Sequence, residues 1–151
     1  MRALIQRCSH AEVRVDKKVV SAIDEGLLVL LGVGPDDTAE DRKWLLQKIL
    51  KLRIFNDAEG LMNLSIEDVK GSILVVSQFT LHAKIKKGTR PSYAKAAPPQ
   101  LAEQHYNDFI KEASTHLGES RTAQGIFGAH MKVDLVNDGP VTIWIDTKLK
   151  E

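Results

Sequence analysis

Ile73-Leu74-Val75-Val76 constrains this chain more than any other stretch. Four consecutive apolar residues, three of them β-branched, are short for a helix and too uniformly apolar for a half-exposed strand. They predict a strand buried on both faces. Ser77, Gln78 and Thr80 follow at once, with Phe79 between them, so a dry strand delivers polar side chains at its end. The chain then changes character. From His82 to Ala97 it carries five cations, Lys84, Lys86, Lys87, Arg90 and Lys95, and no carboxylate. Polar groups at the rim of a wholly basic loop suit a small group carried on a polyanion.

The 151 residues fit one domain spanning residues 1–151, and 43% hydrophobic with 27% charged residues is ordinary for a soluble globular chain. A formal net charge of +1 points to no partner; the concentration of cations in one loop does. Cys8 is the single cysteine, so no internal disulfide can form, and a reducing cytoplasmic setting is expected. Arg2 and Arg7 interrupt the opening MRALIQRCS, which lacks the apolar core of a signal peptide. The longest unbroken apolar run, Leu27 to Leu31, is far too short to cross a bilayer.

Read in order, Ala3–Ser9 predicts a strand, and the alternating Ala11–Asp16 predicts a second. Lys17-Lys18 then turns into Val19–Ile23, and Asp24-Glu25-Gly26 turns into the buried strand Leu27–Val33. Connections this short predict an antiparallel meander. Thr38 with Asp41 forms a capping pair for a helix over Ala39–Leu52, whose stripe of Trp44, Leu45, Lys48, Ile49 and Leu52 faces the core with Lys48 snorkelling. Asn56–Gly60 is a turn cluster, and Asn63–Gly71 an irregular crossing. Pro98-Pro99 opens a second helix ending at Leu117 before Gly118, with a core face of Leu101, Ala102, Tyr106, Phe109, Ile110 and Ala113. Strands over Ala129–Val136 and Val141–Asp146 follow, separated by a turn at Asn137–Pro140, and Thr147–Glu151 frays. The order ββββ–α–β–α–ββ predicts an α+β domain of mostly antiparallel sheet layers, with two helices packed on one face.

Three chemistries are weak here. Gly32-Val33-Gly34 follows a strand and precedes a helix, as in dinucleotide-binding turns. The third glycine of that fingerprint falls on Asp37, an anion, and Pro35 removes a backbone donor. The histidines at 10, 82, 105, 116 and 130 show no metal-ligand spacing, His105 and His116 read as surface or boundary residues, and Asp57, Glu59 and Glu67 read as a solvated turn, so no metal is predicted. A Thr80 nucleophile with a His82 base is disfavoured, because side chains two apart on an extended chain run parallel and no Gly-x-Ser-x-Gly elbow exists. An ester activated by its own neighbouring hydroxyl needs less: backbone N–H groups for the oxyanion, and side chains that hold the substrate. The basic loop by itself also fits a non-catalytic nucleic-acid-binding module using Lys84–Lys95.

Ser77-Gln78-Phe79-Thr80-Leu81 together with Asn137-Asp138-Gly139-Pro140-Val141-Thr142 resembles the D-aminoacyl-tRNA deacylase family, also called D-tyrosyl-tRNA deacylase. The resemblance extends through Ala3–Arg7, Arg53–Asp57, Gly88 with Arg90-Pro91-Ser92, and Phe127-Gly128-Ala129 with Met131. It implies a cytoplasmic homodimer, without metal or organic cofactor, that hydrolyses the ester of D-aminoacyl-tRNA and of mischarged glycyl-tRNA. It implies that Ser77, Gln78, Phe79 and Thr80 form the catalytic floor, assisted by the 2′-hydroxyl of the tRNA's terminal adenosine. Gly139-Pro140, joined by a cis bond and braced by Arg7, would enter the partner subunit's pocket and exclude L side chains. Ala102, Phe127 and Met131 would line the adenosine side, while Lys84, Lys86, Lys87 and Arg90 would meet the tRNA backbone. Many relatives carry an acidic residue soon after the motif's leucine; His82-Ala83-Lys84-Ile85 stands here instead and makes the rim more basic.

Overall fold

The computed structural model describes residues 1–86 and 88–150, so Lys87, expected to meet the tRNA backbone, and Glu151 at the end of the tail lie outside the described residues. The two strands expected at the start are one, β1 (Arg2–Val15). Nothing between Ser9 and Ala11 demands a turn, and pairing to one long neighbour carries the chain straight through. Asp16 and Lys17, both at positive φ, then reverse it into β2 (Lys18–Ile23), and β3 (Gly26–Gly32) follows. The meander is not sequential. β1 pairs antiparallel with both of its successors, with β3 over Arg2–Cys8 and with β2 over Ala11–Val15.

Helix α1 (Ala39–Lys51) starts at the expected capping box, with Thr38 and Asp41 satisfying each other's backbone N–H groups, an arrangement worth about 1 kcal/mol. Its buried face is Arg42, Leu45, Leu46, Ile49 and Leu50. Lys48 is exposed rather than part of the stripe, its ammonium 5.5 Å from the Trp44 ring centroid. The turn at Asn56–Gly60 closes a small hairpin that the sequence pattern did not show, β4 (Phe55–Asn56) with β5 (Met62–Leu64).

The run Ile73–Val76 lies in β6 (Ser72–Ser77), buried at all four positions. β6 pairs parallel with β3 on one side and with β7 (Thr122–Gln124) on the other, so the sheet is mixed. A helix between each parallel pair makes this possible: α1 precedes β6, and α2 (Pro99–Leu117) precedes β7. α2 ends as expected at Gly118, whose φ of 89° suits a residue without Cβ.

The final two expected strands are also one, β8 (Lys132–Asp146), which pairs with β1 from Arg14↔Lys132 to Arg2↔Asp146. The Asn137–Pro140 segment is therefore no hairpin turn. The pairs Cys8↔Asn137 and Gln6↔Thr142 leave Arg7 alone opposite four residues, Asp138 to Val141, which bulge out of the ladder. The tail does not fray at once: Thr147 is buried and accepts a hydrogen bond from the Met1 ammonium, which also pairs with Asp37.

Two cores flank the sheet. The larger gathers Leu27, Val29, Leu31, Ile73 and Val75 under Leu45, Ile49, Tyr106 and Phe109, so both helices cover one face. The smaller joins Leu28, Leu74 and Val76 to Cys8, Ala11, Val13 and Ile23. Between the helices, Arg42 is buried, donating to Glu112 Oε1 at 2.9 Å and from Nη1 to His105 Nδ1 at 2.9 Å. His105, expected at the surface, is thus an interior residue that the cation of α1 needs as an acceptor. No helix among the described residues is long and apolar enough to cross a membrane.

Candidate active site

Beyond Ser77 the chain leaves the sheet. The Gln78 N–H makes one last ladder-like bond to the Leu31 carbonyl at 2.7 Å, and Phe79–His82 form a 3₁₀ turn. This turn lies directly over the end of β3. A Cβ at Gly32 would stand 3.0 Å from the Gln78 carbonyl oxygen and 3.1 Å from the His82 ring, so Gly32 is needed for close approach. Gly34 likewise adjoins the His82 ring, and its N–H donates to Asp37 at 2.6 Å. The glycines of the nucleotide-like Gly-x-Gly thus serve packing. Arg2 pins the other end of the turn, donating from Nη1 to the Leu81 carbonyl and from Nε to Asp146, both at 2.8 Å.

The first N–H groups of such a turn have no partner within it. Among the described hydrogen bonds none takes the N–H of Phe79 or of Thr80. The Thr80 hydroxyl accepts from the Gln78 side-chain amide. His82 does not face it. The imidazole is buried in the protein with Nε2 unpartnered, and desolvation holds its pKa below the usual 6.5. The Thr80–His82 pair is therefore not assembled, because the segment is a 3₁₀ turn and not an extended chain.

Beside this turn opens a cavity of about 720 Å³. Val76, Ser77, Gln78 and Phe79 line one side. Ala102 and Tyr106 of α2 line another, and Phe127, Met131 and Val133 close it. Tyr106 ties these walls together. Its ring lies 5.8 Å from that of Phe127, and its buried hydroxyl reaches the carbonyls of Val75 at 2.9 Å and Gly125 at 3.3 Å. Burial pushes the phenol pKa well above its ordinary value of 10.0, so the hydroxyl keeps its proton and Tyr106 is a fixed donor. Gly125 leaves room for Met131, since a Cβ there would stand 2.6 Å from the Met131 sulfur. Tyr106 and Gly125 read in sequence as a core residue and an ordinary glycine; nothing local in the sequence marks them as the clamp between two walls.

The basic segment is pinned by an isolated antiparallel bridge. Lys84 and Ser92 exchange backbone hydrogen bonds at 2.8 and 3.0 Å, and the Ala97 N–H bonds the Val33 carbonyl at 2.9 Å. Lys84, Lys86 and Arg90 are exposed on it, while Tyr93, Ala96 and Ala97 reach the cavity wall.

Arg7, Gly139 and Pro140 form a second cluster and do not line the cavity of their own chain. Arg7, buried opposite the β8 bulge, donates from Nε to the Asp138 carbonyl at 2.7 Å and from Nη1 to the Ile54 carbonyl at 2.6 Å and Asn56 Oδ1 at 3.1 Å. Asn137 closes the bulge from within, accepting from the Val141 N–H at 2.8 Å and donating to Thr142 Oγ1 at 3.1 Å. The Gly139-Pro140 bond is cis, and the φ of Gly139 is 152°. A Cβ at Gly139 would fall 2.7 Å from Val141 Cγ2, so only glycine fits. Both Gly139 and Pro140 are exposed.

Residues 4–146 match the model of the family described as D-Tyr-tRNA(Tyr) deacylase. The chain belongs to the D-aminoacyl-tRNA deacylase family. It is 53% identical over 151 residues to a D-aminoacyl-tRNA deacylase of Flavobacterium psychrophilum, covering 100% of both chains. It is 54% identical over the same length to one of Bacteroides fragilis, again covering 100% of both. Among solved structures it resembles the c-Myc DNA Unwinding Element Binding Protein, with a TM-score of 0.93 and 39% identity, covering 97% of this chain and 98% of that one. The two stretches on which the sequence resemblance rests, Ser77–Leu81 and Asn137–Thr142, lie at the edge of the cavity and on the bulge of β8.

Proposed function

We propose that this deacylase hydrolyses the ester joining a D-amino acid to the 3′-terminal adenosine of tRNA, and glycine mischarged on tRNA, as a proofreading step in the cytoplasm. Its family membership makes it a D-aminoacyl-tRNA deacylase, a hydrolase. The observation that carries the mechanism is that no described hydrogen bond takes the N–H of Phe79, which borders the cavity, or of Thr80, which follows it in the turn. Backbone donors fixed in place stabilise a developing oxyanion without reorganisation. Water adds to the ester carbonyl carbon, the bond to the 3′ oxygen breaks, and that oxygen leaves with a proton. The neighbouring 2′-hydroxyl assists by proximity, so no side-chain nucleophile is required. Ser77 and Gln78 hold the aminoacyl group, and Ala102, Phe127 and Met131 take the adenosine.

The chiral filter is Gly139-Pro140 of a second subunit in a homodimer. It is exposed, rigidly braced and absent from its own cavity, which suits action in trans. Main-chain carbonyls there would hold the α-amino group and exclude an L side chain, leaving a D side chain in solvent. Lys84, Lys86 and Arg90 meet tRNA phosphates.

The test compares D-Tyr-tRNA with L-Tyr-tRNA, each with a 2′-hydroxyl or 2′-deoxy terminal adenosine. Release of D-Tyr only, lost in the 2′-deoxy substrate, is expected. Equal hydrolysis of D and L would remove the filter, and D-selective turnover of the 2′-deoxy ester would return the chemistry to Thr80. For the dimer, a blocked-cavity Ala102→Phe chain is mixed with a Pro140→Ala chain. Recovery of D-selective turnover in the mixture is expected from a filter acting in trans, and none from one acting in cis.

One finding favours a second reading. The solved relative at 39% identity is titled a DNA-element-binding protein. A non-catalytic nucleic-acid-binding module using Lys84–Lys95 would bind with steep salt dependence and turn over no ester.

A further inference from the structure

We propose that the exposed rings of Phe79 and Tyr93 form a stacking platform for the unpaired nucleotide that precedes the terminal adenosine, with Lys84, Arg90 and Lys95 around its phosphates. The proposal rests on the deacylase reading of the same cavity and adds which part of the tRNA the rim holds.

Phe79 has a job through its main chain; its ring has none so far. Phe79 is 56% exposed and Tyr93 is 38% exposed, whereas Phe55, Tyr106 and Phe109 are buried. The two exposed rings meet edge to face, centroids 4.9 Å apart with planes at 71°. Such a pair leaves ring faces open to a third aromatic group. The platform is held in advance of any ligand. The 3₁₀ turn fixes Phe79, and the Lys84–Ser92 exchange with the Ala96 N–H on the Tyr93 carbonyl at 2.9 Å fixes Tyr93.

Charge and size choose the occupant. The segment from His82 to Ala97 has no carboxylate, and its cations flank Tyr93 on both sides in sequence, which suits a phosphate backbone and not a basic or a neutral apolar partner. Rings interleaved with cations are the arrangement by which single strands are bound, base on ring and phosphate on cation. A duplex cannot use it, because its base faces are already stacked. A cavity of about 720 Å³ is of the size that holds one drug-sized group, so an aminoacyl-adenosine fills it and the next nucleotide stays at the mouth. Phe79 and Tyr93 both line the cavity while staying exposed, which puts them at its mouth.

The experiment uses D-tyrosyl esters of adenosine and of the dinucleotide CpA with the wild-type chain, Tyr93→Ala and Tyr93→Phe, each variant checked for native circular dichroism. The wild type is expected to show a KM about ten-fold lower for the dinucleotide ester, the order of one base stacked on one ring. Tyr93→Ala should erase most of that advantage, raising KM for the dinucleotide at least five-fold more than for the adenosine ester, with kcat moving about equally on both. Tyr93→Phe should restore it. Equal KM for the two esters in the wild type, or an equal penalty on both in Tyr93→Ala, overturns the platform while leaving the deacylase intact. Turnover of neither ester by the wild type overturns the deacylase reading and the platform with it.

Discussion

The Nε of Arg7 donates to the main-chain carbonyl of Asp138 at 2.7 Å, so one buried guanidinium on β1 fixes the bulge that carries Gly139 and Pro140. The same side chain reaches the Ile54 carbonyl and Asn56, which ties the bulge to the β4–β5 hairpin. A planar fork makes these contacts at once, and a lysine ammonium cannot. Arg7→Lys is therefore expected to cost about 2 kcal/mol in denaturant unfolding, the scale of losing one or two charge-assisted bonds. It should also lower discrimination between D- and L-Tyr-tRNA at least ten-fold, as measured by the ratio of kcat/KM values.

Tyr106→Phe keeps the ring and removes the donor shared by Val75 and Gly125. Two buried carbonyls lose a partner, so a loss of about 1–3 kcal/mol is expected from thermal unfolding. Gly125 leads to Phe127, which lines the cavity on the side proposed for adenosine, so KM for aminoacyl-tRNA should rise more than kcat falls. A pure fall in kcat would place Tyr106 outside substrate binding.

Ala102 and Thr80 separate binding from chemistry. Ala102 is buried on α2 and borders the cavity. Ala102→Phe fills the space assigned to adenosine, and turnover of D-Tyr-tRNA should fall at least a hundred-fold while tRNA-independent folding measures stay near wild type. Thr80→Ala should cost less than about ten-fold, because the proposed work lies on its N–H. Loss of activity in Thr80→Ala as complete as in Ala102→Phe would make the hydroxyl essential.

His82 gives a pH dependence whose sign follows from burial. Its folded pKa lies below 6.5, first through desolvation, with the charge of Arg2 acting in the same direction. Above pH 6.5 the ring is neutral in both states. As pH falls below 6.5 the unfolded chain takes up a proton that the folded chain refuses, and stability declines until the folded pKa is passed. Denaturant unfolding between pH 7.5 and 5 should show this decline in the wild type and a shallower one in His82→Leu. Parallel curves would show that the imidazole is not the group responsible.

Much of the molecule is legible in the chain. The capping pair Thr38–Asp41, the stop at Gly118 and the buried run Ile73–Val76 act through neighbours a few residues away, and local chemistry suffices to place them. The motifs Ser77–Leu81 and Asn137–Thr142 announce their family for the same reason: each is contiguous. What a residue faces across the sheet is a different matter. Asn137–Pro140 has the composition of a turn, and only the long pairing of β8 with β1 makes it a bulge held by Arg7, 131 residues away in sequence. The parallel pairing of β6, the burial of His105 against Arg42, the turning of His82 away from Thr80, and the clamp of Tyr106 on two walls were likewise settled by tertiary packing. Sequence fixes what a segment can do alone; which buried donor meets which distant carbonyl is decided only when the layers close and every polar group inside must find a partner.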